Sequence, residues 1–164
     1  MELNPYERFL AGREPIPVLT STADRLYELT APLSGAQINI SPAPGKWSIC
    51  QIASHLADCE IVYSFRLRQT LSQKHALIRL FDQDAWATRY GAYDLDSALA
   101  LFKAARNWNL RLLTTISEED RHKPTTHPER GTMTFWTQVE TMAGHDINHL
   151  QQIERIIKGQ ETKG

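Results

Sequence analysis

The sequence has few of the features that mark membrane, secreted or nucleic-acid-binding proteins. No hydrophobic run approaches the length of a transmembrane helix, and the first residues lack the basic and then apolar order of a signal peptide. The 18 lysines and arginines are balanced by 19 acidic residues and form no basic run, which disfavours nucleic acid or an anionic membrane as a partner. We therefore expect a cytoplasmic protein that acts on a small molecule.

Cysteine is also scarce, with Cys50 and Cys59 only. Both fall on one predicted helix, where nine residues separate their Cα atoms by about 13 Å, too far for a disulfide. We expect two reduced thiols. The 164 residues, 41% hydrophobic and 23% charged, fit a single domain over 1–164 with one core.

Neither alternating strand patterns nor internal repeats compete with the helical periodicity of the chain. The predicted long helices cover 15–31, 48–71, 94–116 and 134–158. We predict an all-α fold, a four-helix bundle with a crossover segment between the second and third helices. Residues 77–90 are predicted to form a short helix within that crossover, and residues 122–131 a polar loop.

Two signals mark the ends of these helices. Ser48 and Gln51 have the spacing of a capping box, which predicts the start of the second helix. Gly159 is predicted to end the fourth helix.

His145 and His149 are four residues apart on the fourth predicted helix, and His55 lies on the second. Positions i and i+4 are about 40° apart around a helix, so the two imidazoles point to one side. All three histidines lie beside the apolar stripe of their helix. Packing the two stripes together would bring three imidazoles to the edge of one core, where a metal ion is one partner they could share.

Four segments of the sequence resemble the DinB-like superfamily. They are Pro-Gly-Lys-Trp-Ser-Ile at 44–49, His-Leu-Ala-Asp at 55–58, the segment around the paired histidines at 145–153, and Asp-Gln-Asp-Ala-Trp at 82–86. The last is similar to a segment of the YfiT-type branch. The resemblance follows the expected order over nearly the whole chain.

The resemblance implies a four-helix bundle, commonly a homodimer, that holds a divalent metal such as nickel or zinc. The ligands of the family correspond to His55, His145 and His149. Branches of the superfamily include S-transferases that use bacillithiol or mycothiol, a mycothiol-dependent maleylpyruvate isomerase, and proteins described as metal-dependent hydrolases.

Three histidine ligands leave a coordination position open, as in catalytic metal sites. Our leading hypothesis is a thiol-dependent S-transferase, in which a low-molecular-weight thiol binds the metal as a thiolate and attacks a small electrophile. The first alternative is a metal-dependent hydrolase with hydroxide generated at the metal as nucleophile. The second is a non-catalytic, stress-associated dimer whose metal joins two helices.

Four further residues are candidates on the same two helices. Asp58 and Gln152 lie one turn from a histidine and could orient ligands or bound water, although solvated helix-edge positions are an equal alternative. Arg66 could hold an anionic group of the substrate or form a surface ion pair. Cys59, four residues after His55, could approach the metal or act as a small buried hydrophobe.

His145-Asp146-Ile147-Asn148-His149 also resembles the zincin pattern His-Glu-x-x-His. Aspartate is one methylene shorter than the glutamate base of that pattern, and little chain follows for a distant third ligand. We therefore disfavour a protease.

The remaining histidines, His75, His122 and His127, are expected to be solvated in loops, with His127 a candidate for a lid.

A second stripe on the helix at 48–71 suggests contact with another copy of the chain. It consists of Cys50, Ala57, Ile61 and Phe65 and lies opposite the stripe beside His55. We predict a homodimer with this stripe as its interface.

Overall fold

The computed structural model describes residues 3–161 and is built around four long helices. They are α2 (Pro15–Thr30), α4 (Ile49–Ser72), α6 (Leu95–Leu113) and α8 (Phe135–Glu161). The predicted four-helix bundle is confirmed. α8 continues past Gly159, where the sequence predicted its end, because that glycine does not adopt the left-handed conformation of a helix stop.

Short elements connect the long helices. They are α1 (Glu7–Leu10), α3 (Gly35–Asn39), β1 (Ala76–Leu77), α5 (Gln83–Ala87), a 3-10 turn (Tyr90–Ala92), α7 (Glu118–Arg121), β2 (Pro124–His127) and β3 (Gly131–Thr134). The short helix predicted within 77–90 corresponds to α5, which covers only part of that range. In the part of the chain described, no helix is both long and apolar enough to span a bilayer.

The prediction of a polar loop over 122–131 is wrong, because these residues contribute to a small sheet. β2 pairs antiparallel with β3 and parallel with β1. The strands are two to four residues long, too short to show a clear alternating pattern. Threonines supply the local preference for β-structure. The Thr126 and Thr132 hydroxyls hydrogen-bond across the hairpin at 2.9 Å.

The order of the helices around the bundle differs from their order in the chain. α2 packs against α6 and α8, and α4 packs against the same two helices. Because α2 and α4 therefore lie on one diagonal and α6 and α8 on the other, the connections from α2 to α4 and from α6 to α8 cross the bundle end. The histidine-bearing helices α4 and α8 are direct neighbours.

Side-chain caps begin two of the long helices where the sequence predicted them. Ser48 Oγ accepts from the Gln51 amide at 3.3 Å, and Gln51 Oε1 accepts from the Ser48 amide at 2.9 Å, which confirms the capping box. Asp94 Oδ1 accepts from the Ser97 amide at the start of α6. The first cap places His55 about two turns inside α4, at the level of the core.

The stripe predicted as a dimer interface does not form a single exposed face. Cys50 and Ala57 are buried within the chain, because the neighbouring α6 and the 3-10 turn pack against α4 there. Ile61 and Phe65 remain exposed, at 46% and 65%. Only this part of α4 is available to a second copy.

The homodimer remains a prediction, with Ile61 and Phe65 in its interface. Multi-angle light scattering should give twice the chain mass for the wild type. Phe65→Glu should shift the population toward the monomer, because an unpaired carboxylate would be buried at the interface. A monomeric wild type across the accessible concentrations would contradict the prediction.

Candidate metal centre

Three imidazoles from two helices converge in the interior of the bundle. His55 comes from α4, and His145 and His149 come from successive turns of α8. Their ring centroids are 4.4 to 5.1 Å apart, and the Nε2 atoms of His55 and His145 approach to 3.0 Å. All three are buried, with 2 to 7% of each residue exposed. The structure thus brings together the three residues that the sequence singled out.

Aromatic side chains close the cluster on two sides. The Trp47 ring centroid lies 4.9 Å from that of His55, and the Tyr6 ring meets His145 edge-on at 5.1 Å. The glycine before His145 permits the second contact: a Cβ on Gly144 would lie 2.7 Å from the Tyr6 Cβ and clash with the Tyr6 carbonyl oxygen. These contacts shield the imidazoles from bulk water.

Burial keeps the three imidazoles neutral at pH 7. Desolvation lowers the pKa of His55 to about 3, and repulsion from His149 adds to the effect. Desolvation also lowers the pKa of His145 and that of His149. For His149, the hydrogen bond to Gln152 and the charge of Asp146 partly oppose this effect. Neutral imidazole is the form that can bind a metal, because it retains a nitrogen lone pair.

Gln152 fixes the tautomer of His149. Its Oε1 lies 2.9 Å from His149 Nδ1, and an amide oxygen can only accept a hydrogen bond. The proton of neutral His149 therefore resides on Nδ1, which leaves Nε2 with a free lone pair. The structure thus places Gln152 against a candidate ligand, and its role in orienting that ligand remains a prediction.

Cys59 is a fourth donor within reach of the cluster. Its Sγ lies 3.5 Å from His55 Nε2 and 3.9 Å from His145 Nε2. Burial strongly raises the pKa of the thiol, and the nearby carboxylates of Glu60 and Asp146 raise it further. In the absence of a cation Cys59 is therefore protonated.

The spacing of these donors fits a metal ion. Two nitrogens bound at 2.0–2.1 Å to one tetrahedral zinc lie about 3.3 Å apart, and a sulfur bound at 2.3 Å lies about 3.5 Å from a nitrogen. The corresponding distances here are 3.0 Å between the Nε2 atoms and 3.5 Å from Cys59 Sγ to His55 Nε2. These distances bring the donor atoms of His55, His145 and Cys59 within 4.8 Å of one another, and the His149 ring lies 4.8 Å from that of His55 and 4.4 Å from that of His145. The neutral imidazoles supply the donor chemistry, so the cluster can hold one divalent ion.

Asp146 does not occupy the position of a zincin base. Its Oδ2 accepts hydrogen bonds from Arg106 at 2.6 Å and Thr22 at 2.8 Å, and its Oδ1 accepts from Arg106 at 3.1 Å. Both oxygens are engaged in a buried ion pair. The structure thus agrees with the sequence argument against a protease.

Asp58 lies beside a different cavity. Together with Tyr93 and Ser97 it lines a recess between α4 and α6, and in the described chain it makes no hydrogen bond to a histidine. Burial raises the pKa of its carboxyl group, an effect partly offset by the Tyr90 hydroxyl. Its catalytic role remains a prediction that no contact supports.

A cavity of about 210 Å³ leads outward from the cluster. His145 and Cys59 line it, and so does Arg66, which lies two turns after Cys59 on α4. His127 and Arg130 also line it. The expectation of a solvated His127 is wrong, because the residue lies in β2 and is 5% exposed.

Sequence reasoning missed Arg130 altogether. The useful signal was local: a threonine pair before His127, and Arg130-Gly131 before further threonines, fit a short hairpin with a glycine at its turn. Treating residues 122–131 as a loop hid the possibility that the segment forms one wall of the cavity.

Comparisons with known proteins agree with this fold. The family model described as "DinB superfamily" matches residues 19–153. A protein of Oceanobacillus iheyensis named "Putative metal-dependent hydrolase" is 28% identical over 77% of this chain and 74% of its own length. A Geobacillus kaustophilus protein of the same description is 24% identical over 93% and 88%.

A solved structure extends the comparison to the fold. YfiT from Bacillus subtilis, described as a probable metal-dependent hydrolase with an unusual four-helix bundle topology, superposes with a TM-score of 0.78. It is 22% identical and aligns over 88% of this chain and 86% of its own. The family match spans most of the bundle and all three histidines, and the chain therefore belongs to the DinB superfamily.

Proposed function

We propose that the protein is a metal-dependent hydrolase whose divalent ion is held by His55, His145 and His149. The observation that carries the proposal is the convergence of three buried, neutral imidazoles, two of whose Nε2 atoms are 3.0 Å apart, beside a cavity that His145 lines. The descriptions of the relatives as metal-dependent hydrolases support the same chemistry.

The bound metal would supply a Lewis acid that lowers the pKa of a water molecule toward 7. The chain's own residues prepare the site. Gln152 holds the proton of His149 on Nδ1, which leaves the Nε2 lone pair free to bind an ion. Trp47 and Tyr6 cover the imidazoles and limit access to the side of the cavity.

We propose zinc or nickel as the metal. Imidazole nitrogen is a good ligand for both ions, whereas calcium and magnesium require oxygen ligands that the cluster does not offer. Cys59, a soft donor within 3.9 Å of two Nε2 atoms, favours the same group of metals.

Metal content is the direct test. Inductively coupled plasma mass spectrometry of the purified wild type should give about one divalent ion per chain, because three buried, neutral imidazoles already lie together. His149→Ala should lose most of it. His122→Ala, which removes an exposed imidazole on the surface, is the matched control and should retain it.

Cys59→Ala, measured in parallel, decides whether the thiol is also a ligand. A wild type that stays metal-free after incubation with zinc and nickel would overturn the proposal.

The predicted S-transferase and the non-catalytic dimer are tested with the same metal-loaded protein. Cleavage of ester and amide substrates without added thiol, lost in His149→Ala, is expected for a hydrolase. Turnover of an electrophile that depends on an added low-molecular-weight thiol would instead favour thiol transfer, which no contact in the structure favours. Metal that raises the melting temperature while no substrate class is turned over would favour the non-catalytic dimer.

A further inference from the structure

The cavity beside the histidine cluster is bordered by two arginines without a carboxylate partner. Arg66 and Arg130 are half-buried and line the same cavity as His145 and Cys59. Within residues 3–161, neither guanidinium forms an ion pair. Arg66 Nη2 donates one hydrogen bond, at 3.0 Å, to the carbonyl oxygen of Arg79. Most of the donors of the two side chains therefore remain available to a ligand.

The charge of Arg130 is close enough to act on the pKa of Arg66, and both arginines act on the pKa of His127. Burial lowers the pKa of Arg66, and Arg130 lowers it further. Burial also lowers the pKa of His127, and both arginines add to that effect. Glu129 lines the cavity as well, but its side chain is exposed and bridges neither arginine. Two like charges in a confined cavity attract an anion.

The backbone explains how residues so far apart in the chain come to share a cavity. Arg66 follows Cys59 by seven residues, two turns or about 10.5 Å along α4, so both project from one face. Arg130 lies in the β2–β3 turn, where its amide donates to the His127 carbonyl at 3.2 Å and Gly131 adopts a φ of +93°. The hairpin thus holds its arginine opposite α4.

We propose that Arg66 and Arg130 bind the carboxylate or phosphate group of a small anionic substrate whose reacting end lies at the histidine cluster. Guanidinium groups bind both anions through paired, charge-assisted hydrogen bonds. A cavity of about 210 Å³ that is lined by His145, Cys59 and both arginines suits a small molecule. The inference rests on the proposed function, since it names the substrate class of the same site.

The test measures anion binding without relying on catalysis. Inorganic phosphate and succinate are titrated separately, at low salt, into the wild type and into His149→Ala by isothermal titration calorimetry. Arg66→Gln and Arg130→Gln, made in both backgrounds, should each weaken binding at least about tenfold, since each removes charge-assisted hydrogen bonds. Arg111→Gln, an exposed arginine on α6, is the matched control and should bind as its parent does.

The outcomes separate this inference from the proposed function. Arginine-dependent binding in His149→Ala supports the anion site even if no metal is found, because that variant lacks a proposed ligand. Binding of phosphate only, or of succinate only, supports the site and identifies the group that it takes.

Absence of binding for both anions would overturn the inference. Equal affinity in the parents and in folded Arg66→Gln and Arg130→Gln would overturn it as well. Circular dichroism verifies the fold, and Arg66→Lys, which keeps the charge but loses the planar fork, provides a second variant with an expected intermediate affinity.

Discussion

Replacing Arg106 by methionine is expected to lower the free energy of unfolding by about 3–5 kcal/mol. The guanidinium is 1% exposed and lies 2.6 Å from both Glu60 on α4 and Asp146 on α8. It also donates to the Leu19 carbonyl of α2 at 2.9 Å. Arg106→Met would leave two buried carboxylates without a cation and remove a junction of all four long helices. Urea unfolding at pH 7 measures the loss.

Two variants show whether the loss comes from burial of the ions. Lys103 lies on the same helix as Arg106 and forms an exposed ion pair with Asp24 of α2. Lys103→Ala removes that pair and should change the free energy of unfolding by less than about 1 kcal/mol. Replacing Arg106, Glu60 and Asp146 together by apolar residues should recover most of the stability lost in Arg106→Met, because no unpaired buried charge remains. A loss in Arg106→Met no larger than that in Lys103→Ala would contradict the prediction.

This ion network also illustrates what the sequence could not provide. No local pattern in α6 marks Arg106 as a buried cation. Its partners Glu60 and Asp146 are 46 and 40 residues away in the chain. Pairing of buried charges depends on which helices become neighbours, and the diagonal arrangement of α2 and α4 was not encoded in any local pattern.

Local signals predicted the long helices well. The Ser48 capping box and the apolar periodicity gave the start of α4, and the periodicity gave the extent of α6, because capping and amphipathicity depend on residues within one or two turns. The sheet and the end of α8 were missed. Short strands carry little pattern, and Gly159 remains helical within the last turns of α8.

In the candidate site, too, the features that depend on neighbouring residues in the chain were predictable and those that depend on tertiary structure were not. The spacing of His145 and His149 is local and placed both imidazoles on one side of α8. Their approach to His55 followed from the apolar stripes together with the family resemblance. Arg130 enters the cavity through a hairpin that the sequence analysis treated as a loop, so its tertiary position could not be predicted from spacing.

The free energy of unfolding of the metal-free protein is expected to fall steeply as the pH is lowered from 7 to 5. His55 alone should account for about 2 kcal/mol of that loss. Its pKa is lowered from the unfolded value of 6.5 to about 3. Below pH 6.5 the unfolded chain therefore binds a proton that the native state excludes. At pH 5 this difference amounts to about 2 kcal/mol for one imidazole that stays neutral in the native state.

The measurement compares the wild type with His55→Leu after removal of metal by a chelator, using urea unfolding at pH 7 and pH 5. His55→Leu should lose about 2 kcal/mol less than the wild type between the two pH values, because leucine takes up no proton in either state. The raised pKa of Glu60 has the opposite effect on stability, but it is present in both proteins and cancels in the comparison.

Ile52→Val supplies the matched control, since Ile52 is a fully buried residue one turn before His55 that does not titrate. It should lower the free energy of unfolding by about 0.5–1.5 kcal/mol at both pH values and leave their difference unchanged. The same pH dependence in His55→Leu and in the wild type would show that His55 takes up a proton equally in the native and unfolded states. Such a result would remove the physical basis for a neutral, metal-ready imidazole at this position, because burial would then not exclude the proton.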